Sequence, residues 1–541
     1  MKISPVVLCV LDGWGIAPDT ASNAITHART PNMDKYWASF PHTELGASGD
    51  SVGLPKKEPG NTETGHLNLG AGRIVYQDLA RINMSIADGS FFTNKVLIDA
   101  IAHVKKNNSA LHLMGLVGAG GVHSNIEHLF ALIRLAKESG LRKVFIHAFT
   151  DGRDSPPSSA KMYIAKLQEI VSKEGVGEIV SVMGRYFAMD RDNRWERTKQ
   201  AYEALSKGIG HHVKSIEEAL DVSYESGKTD EFIEPSIKTD SRGTPLGLVG
   251  DGDAVIFFNF RIDRPRQLVK AFVSKDFEKL TSSDLATLSE DPNAQDAVSK
   301  TFERNGKIKD LFFVMMTQYD KSLVEDVARV VFPREEIPFT LGEVISMSEL
   351  SQLRVGESEK EKFITYYFSG QQNFPFTLED RIIIPSPRVS TYDKKPEMSA
   401  VGVTDAILQN LNSDKNYAFV LVNYANADMV AHSGNMDSAI KACEVVDECI
   451  GRLGNFVLER GGALIITADH GNAEQMLSKD GEVATEHSAN PVPFIVVSKE
   501  FDNKSYMLSS GILADVAPTV LKLLGIVQPT NMTGRDLLAE I

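Results

Sequence analysis

Short apolar runs punctuate the chain: PVVLCVLD, ALHLMGLVG, KVFIHAFTD, EIVSVMGR, AVIFFNFR, LFFVMMTQYD, YAFVLVNYA, ALIITADHG and VPFIVVS. Each has the length of a strand buried on both faces. Between them lie stretches with apolar residues at helical spacing. SNIEHLFALIRLAKESG predicts a helix stopped by Gly140, and MDSAIKACEVVDECIGRLGNFVLERGG predicts one stopped by Gly461. This alternation predicts α/β layers around a mostly parallel sheet.

Chemistry-bearing side chains gather just past the ends of these runs. Asp12, His123, Asp151 to Asp154, Arg185, Arg261, Asp428, Asp469 and His470 all stand there. Open α/β sheets bind ligands in the crevice outside the carboxyl ends of their strands. Carboxylates and histidines lie near the N-terminus and in the last third, whereas the arginines lie in the middle. That segregation predicts one domain built from residues 1–76 and 335–541, with a second spanning 77–334 inserted into it. Crossing points are expected near Val75 to Ala80 and in FPREEIP, Phe332 to Pro338. A length of 541 residues also exceeds what one core ordinarily serves.

Composition narrows the function. The formal net charge is −15 without blocks of like charge, which argues against nucleic acid or an anionic membrane as partner. An anionic substrate would need a local cluster of arginines. Cys9, Cys443 and Cys449 form neither a disulfide framework nor a C-x-x-C metal pattern. The N-terminal apolar run is interrupted by Asp12 and is too short for a signal peptide. No apolar run reaches roughly 18 residues, the length of a membrane span. A cytoplasmic monomer is expected. The charged stretch from Ser274 to Lys309 reads as a surface elaboration with no assigned function.

Two constellations suggest chemistry. Asp12, Asp428, His432 (four residues after Asp428), Asp469, His470 and His487 are a sulfur-free Asp/His set that suits divalent Mn²⁺ or Zn²⁺. With the Thr62 hydroxyl they are enough for two ions sharing a site, and two close ions can clamp a transferring phosphoryl group. A neutral hydroxyl needs such activation to serve as a nucleophile. Gly60, Gly65, Gly70 and Gly72 around Thr62 would let the backbone approach a phosphate. Arg153 with Asp154, Arg185, Arg191, Arg261 and Arg264 stand at three strand ends, where bidentate forks could hold a small multiply charged anion. His123, after a glycine pair, could donate to a phosphate or act as acid or base.

Together GNTETGHLNLGAGR, GGVHSN, DGRDSPP, GRYFAMDRDNRWER, NFRIDR, NYANADMVAH, TADHGNAE and HSANPVPFI resemble the cofactor-independent phosphoglycerate mutases, in order and over almost the whole chain. The resemblance implies an alkaline phosphatase-like domain made of both chain ends, with an inserted transferase domain. It implies one Mn²⁺ (with Mg²⁺ or Co²⁺ as alternatives) on Asp428, His432 and His487, a second on Asp12, Thr62, Asp469 and His470, and no bisphosphoglycerate. His123, Arg153, Asp154, Arg185, Arg191, Arg261 and Arg264 would bind substrate. Lys360 matches the family's catalytic lysine and is marked by the resemblance alone. The implied reaction interconverts 3-phosphoglycerate and 2-phosphoglycerate through a phosphorylated Thr62, with water excluded. Two departures stand out: the family usually has serine at the place of Thr62, and commonly an aspartate near Ala119. A metal-dependent phosphomonoesterase and an inactive phosphate-binding relative are the alternatives.

Overall fold

The computed structural model describes residues 3–280, 300–325, 328–478, 480–502, 504 and 506–541. Most of the predicted surface elaboration, residues 281–299, therefore lies outside the described residues. The chain divides into two compact units, one made of Met1–Gln77 with Glu336–Ile541 and the other of Asp78–Glu335.

The first unit is built on an eight-stranded sheet. Its order is Glu379–Ile384, Ser351–Glu357, Tyr417–Tyr424, Val6–Leu11, Ala463–Thr467, Val492–Ser498, His42–Gly46 and Gly511–Ile512. The first five run parallel, and Val492–Ser498 is antiparallel to both of its neighbours. Every residue of Val6–Leu11, Tyr417–Tyr424 and Ala463–Thr467 is buried, which explains why these strands read as unbroken apolar runs rather than alternating ones. Helix Met436–Glu459 packs over this sheet, and Gly461 beyond it takes φ 69°, a backbone conformation that costs glycine little.

The parallel register has a direct consequence. Ser351–Glu357, Tyr417–Tyr424, Val6–Leu11 and Ala463–Thr467 lie side by side, so their carboxyl ends open along one edge. Lys360, Asp428, Asp12 and Asp469 follow those four ends in that order.

The second unit carries another eight-stranded sheet, in the order Ala328–Phe332, Phe312–Thr317, Ala254–Phe257, Leu111–Leu116, Val144–Thr150, Glu178–Gly184, Ser236–Lys238 and His211–Val213. Its first six strands are parallel. The predicted helix after Leu111–Leu116 spans Ile126–Glu138; the Asn125 side chain accepts from Glu127 N at its start, and Gly140 follows at φ 70°. The loops after Leu111–Leu116, Val144–Thr150, Glu178–Gly184 and Ala254–Phe257 bring His123, Asp151 to Asp154, Arg185 and Arg261 to one edge of this sheet. Among the described residues no helix is long and apolar enough to cross a membrane.

Candidate active site

Thr62 is the first residue of helix Thr62–Ala71, whose N-terminus is capped by Asn61 accepting from Thr64 N at 2.9 Å. Its hydroxyl is buried among charges. Lys360 Nζ lies 3.1 Å from Thr62 Oγ1, His470 Nε2 lies 3.0 Å away and Asp12 Oδ1 3.4 Å away. An ammonium only donates, so Thr62 Oγ1 accepts from Lys360 and its own proton is left to reach His470 or Asp12.

Lys360 also donates to Asp12 Oδ1 at 2.7 Å and to Asp428 Oδ2 at 2.8 Å. Burial on its own would push the ammonium down, but the carboxylates of Asp12, Asp428 and Asp469 outweigh it and hold Lys360 well above the ordinary lysine range. Three fully buried carboxylates thus face a single lysine. Buried charge on that scale calls for further cations.

The histidines supply a sharper test of whether a metal fits. His432 Nδ1 faces Thr485 O at 2.7 Å, His487 Nδ1 faces Gly60 O at 2.9 Å, and His470 Nδ1 faces Gly471 O at 3.3 Å. A carbonyl oxygen can only accept, so each of these rings carries a proton on Nδ1 and turns Nε2 toward the carboxylates. Asp428 holds His432 above the ordinary histidine range, and against burial the carboxylates of Asp469, Asp428 and Asp12 push His470 up to about 10. Those Nε2 atoms converge. His432 Nε2 and His487 Nε2 stand 3.2 Å apart, and both approach Asp428 Oδ1, at 3.1 and 3.3 Å. Two ring nitrogens this close beside a carboxylate need a proton or a metal cation between them, and Nδ1 fixed by a carbonyl is how ligating histidines are usually oriented. The donor set fits divalent cations.

Asn472 and Glu474 brace this cluster. Asn472 Nδ2 donates to Asp428 Oδ1 at 2.8 Å, while Glu474 accepts from Gly15 N, Asn472 N, Asn490 Nδ2 and Ser488 Oγ. The glycines of the Thr62 segment serve packing rather than an open approach to an anion. A side chain at Gly65 would collide with the backbone of Asp469, and one at Gly70 with the Phe368 carbonyl. They let the helix lie directly against the loops that carry the charged groups.

The second unit gathers the other constellation. Buried Arg185 donates from Nη1 to Asp151 Oδ1 and Asp154 Oδ2, both at 2.6 Å, and from Nη2 to His123 Nε2 at 2.9 Å. Because guanidinium cannot accept, His123 Nε2 is unprotonated. Burial first, then the Arg185 charge, pushes His123 down to about 4. Asp263 collects Arg191 at 2.9 Å and Arg261 at 3.4 Å, and lies 3.6 Å from His123 Nδ1. Arg264 donates to Met189 O at 3.2 Å. Burial, followed by Arg185 and Arg191, lowers its affinity for its proton, the mark of a site crowded with positive charge. Arg153 stands apart, half-exposed and 3.4 Å from Glu231. A small pocket beside the cluster is lined by Gly118, Gly120, Gly121, His123, Ser124, Asp151 and Asp154 among others.

Sequence reasoning missed Asp263, Asn472, Glu474, His66 and Asn423. All five lie inside or beside the quoted motifs. His66 could have been marked by its spacing of four from Thr62, which puts both on one helical face.

Comparison with known proteins gives these clusters a family. A family model described as the BPG-independent PGAM N-terminus matches residues 82–321. A Moorella thermoacetica protein named 2,3-bisphosphoglycerate-independent phosphoglycerate mutase is 49% identical over 536 residues, covering 99% of this chain and 98% of its own. A Clostridium kluyveri protein of the same name is 50% identical over 539 residues, covering 99% and 100%. The chain belongs to the 2,3-bisphosphoglycerate-independent phosphoglycerate mutase family. As a member of that family it is an enzyme of the isomerase class. Its fold is shared with a solved structure, Leishmania mexicana phosphoglycerate mutase at low cobalt concentration, at a TM-score of 0.61 and 29% identity over 99% of this chain and 98% of that one. The first of this chain's two constellations is a buried hydroxyl among carboxylates, histidines and a lysine. The second is an arginine cluster balanced by aspartates.

Proposed function

We propose that this mutase interconverts 3-phosphoglycerate and 2-phosphoglycerate through a phosphothreonine at Thr62. The observation that carries the reading is the Thr62 hydroxyl itself, buried with the Lys360 ammonium at 3.1 Å on one side and His470 Nε2 and Asp12 Oδ1 at 3.0 and 3.4 Å on the other. A hydroxyl so placed can lose its proton as it attacks, while the ammonium meets the charge that develops on the phosphoryl oxygens.

In the forward direction Thr62 Oγ1 bonds to phosphorus, the bond from phosphorus to the substrate's C3 oxygen breaks, and that oxygen takes up a proton. Glycerate reorients without leaving. Its C2 hydroxyl then attacks the phosphothreonine, gives up a proton, and Thr62 departs with its hydroxyl restored. Lys360 faces the transferring group in both halves. Two divalent ions, Mn²⁺ first with Mg²⁺ or Co²⁺ as alternatives, would be held by Asp428, His432 and His487 and by Asp12, Thr62, Asp469 and His470, supplying positive charge for the phosphoryl oxygens.

His123, Arg153, Asp154, Arg185, Arg191, Arg261 and Arg264 form the substrate-binding set of this reading. Arg185, Arg191 and Arg261 are already tied to Asp151, Asp154 and Asp263, so a bound carboxylate or phosphate would exchange partners with those aspartates rather than meet naked charge. On this reading the protein works in the cytoplasm, as a monomer acting in glycolysis and gluconeogenesis on a small-molecule substrate with no bisphosphoglycerate.

The test is ³¹P NMR of the purified protein with Mn²⁺ and 3-phosphoglycerate and no bisphosphoglycerate. Appearance of the 2-phosphoglycerate resonance is expected. Inorganic phosphate alone would mean a phosphatase, and an unchanged spectrum would overturn the reading.

A further inference from the structure

His66 is fully buried, one helical turn beyond Thr62 and on the same helix face. Its Nδ1 lies 3.0 Å from Thr62 O and 3.1 Å from Asp469 Oδ2. Its Nε2 lies 3.2 Å from Asn423 Nδ2, and the same Asn423 nitrogen donates to Asp12 Oδ2 at 2.8 Å. Asn423 stands near the end of strand Tyr417–Tyr424, paired across the sheet with Val10.

The proton positions in this chain follow from its two ends. Thr62 O can only accept, so His66 carries a proton on Nδ1 and donates it there; Asp469 Oδ2 stands 3.1 Å from the same nitrogen as a charge contact, outside hydrogen-bond geometry. Asp12 Oδ2 can only accept, so the Asn423 amide turns its nitrogen toward Asp12. The second amide hydrogen then meets the His66 Nε2 lone pair. The arrangement leaves Asn423 Oδ1 buried and without a hydrogen bond, a cost accepted so that both amide hydrogens point this way.

The contrast with His432, His470 and His487 is informative. Their Nε2 atoms are turned toward the carboxylate cluster, whereas both nitrogens of His66 are already engaged. A cation facing Nδ1 would meet a proton, not a lone pair.

We infer that His66 and Asn423 together act as a positioning bridge that fixes the Asp12 and Asp469 carboxylates relative to each other and to the Thr62 backbone. The inference rests on the reading that Asp12 and Asp469 share one cation. The bridge makes no contact with His432 or His487, so it bears on one ion and not on the other. Groups that orient metal ligands from behind typically change affinity by about 10- to 100-fold when removed.

The test is equilibrium Mn²⁺ binding to the full-length protein, with free Mn²⁺ read by electron paramagnetic resonance and the unfolding midpoint of each metal-free protein recorded alongside. For the wild type, two bound ions are expected. His66→Leu should weaken one of them about 10- to 100-fold and leave the other within about twofold. Asn423→Leu should do the same, and the double variant should be no weaker than either single one, because both remove one bridge. His66→Asn, which can keep a donor near the Nδ1 position, should recover part of the loss. Unchanged affinity, additive losses, or an equal weakening of both ions that tracks a fall in the metal-free midpoint would each overturn the bridge while leaving the metal reading intact. A wild type that takes up no ion would overturn the metal reading, and the bridge with it.

Discussion

The Lys360 ammonium lies 3.1 Å from the Thr62 hydroxyl and bridges Asp12 and Asp428 in the same contact set. A cation that donates to a nucleophile's oxygen favours the deprotonated form and then the charge transferred onto it. Thr62→Ala should lower the isomerisation rate by at least roughly a thousandfold, while Thr62→Ser stays active, because only the oxygen takes part. Lys360→Met should cost on the order of 10²- to 10³-fold in kcat. Steady-state assays of the three variants check this; a fully active Thr62→Ala protein would refute the assignment.

Arg261 is half-exposed and, among the described residues, its side chain pairs with Asp263 at 3.4 Å, so removing it should leave folding intact. Charge-assisted hydrogen bonds are worth about 1.5–3 kcal/mol. Arg261→Met should therefore raise KM for 3-phosphoglycerate about tenfold or more, with the unfolding temperature unchanged. Substrate titrations and thermal melts on one preparation separate these effects.

His128 is buried in the second unit, its Nε2 2.9 Å from Asn83 Oδ1, and burial pushes it down to about 4. At neutral pH the ring is neutral both folded and unfolded. As the pH falls below the ordinary histidine value near 6.5, the unfolded chain takes up a proton that the folded chain refuses until about 4. Stability is therefore lost on acidification through this window, by up to roughly 3 kcal/mol for the one group. His128→Gln, which keeps a donor for Asn83, should flatten the fall in stability between neutral pH and pH about 4. Urea unfolding at several pH values measures it.

Arg354 sits inside strand Ser351–Glu357, with no exposed surface, paired with Glu379 at 2.9 Å and donating to Ile364 O and Ser369 Oγ, both at 2.8 Å. It thereby ties the turn after Lys360 to the sheet. Arg354→Met would leave a buried carboxylate and two acceptors short of a donor. Breaking a buried pair costs about 3–5 kcal/mol; because Arg381 still reaches Glu379 at 2.6 Å, the lower end is expected. Chemical denaturation gives the value, and a loss below about 1 kcal/mol would contradict it.

Arg354 also shows where the sequence falls silent. Strands such as Val6–Leu11 and Ala463–Thr467 are buried throughout and stand out as apolar runs. Ser351–Glu357 carries Gln352, Arg354 and Glu357 into the interior, and Glu379–Ile384 beside it is only partly buried, so neither strand shows in the hydrophobic pattern. Lys360 follows the hidden one. The rule that brought out Asp12, Asp428 and Asp469, a charged residue past a strand's end, therefore could not reach it, and only the family resemblance marked it. His66 and Asn423 were silent for another reason. A polar side chain buried by neighbours from three separate elements leaves no local trace beyond its own spacing.

The most direct measurement of the central claim is rapid acid quenching of the enzyme during turnover of 3-phosphoglycerate, followed by peptide mass spectrometry. Phosphate on the peptide that contains Glu58 to Arg73, localised to Thr62 and absent from Thr62→Ala, is the predicted result. Formation of 2-phosphoglycerate with that peptide unmodified and the phosphate on another residue would contradict it.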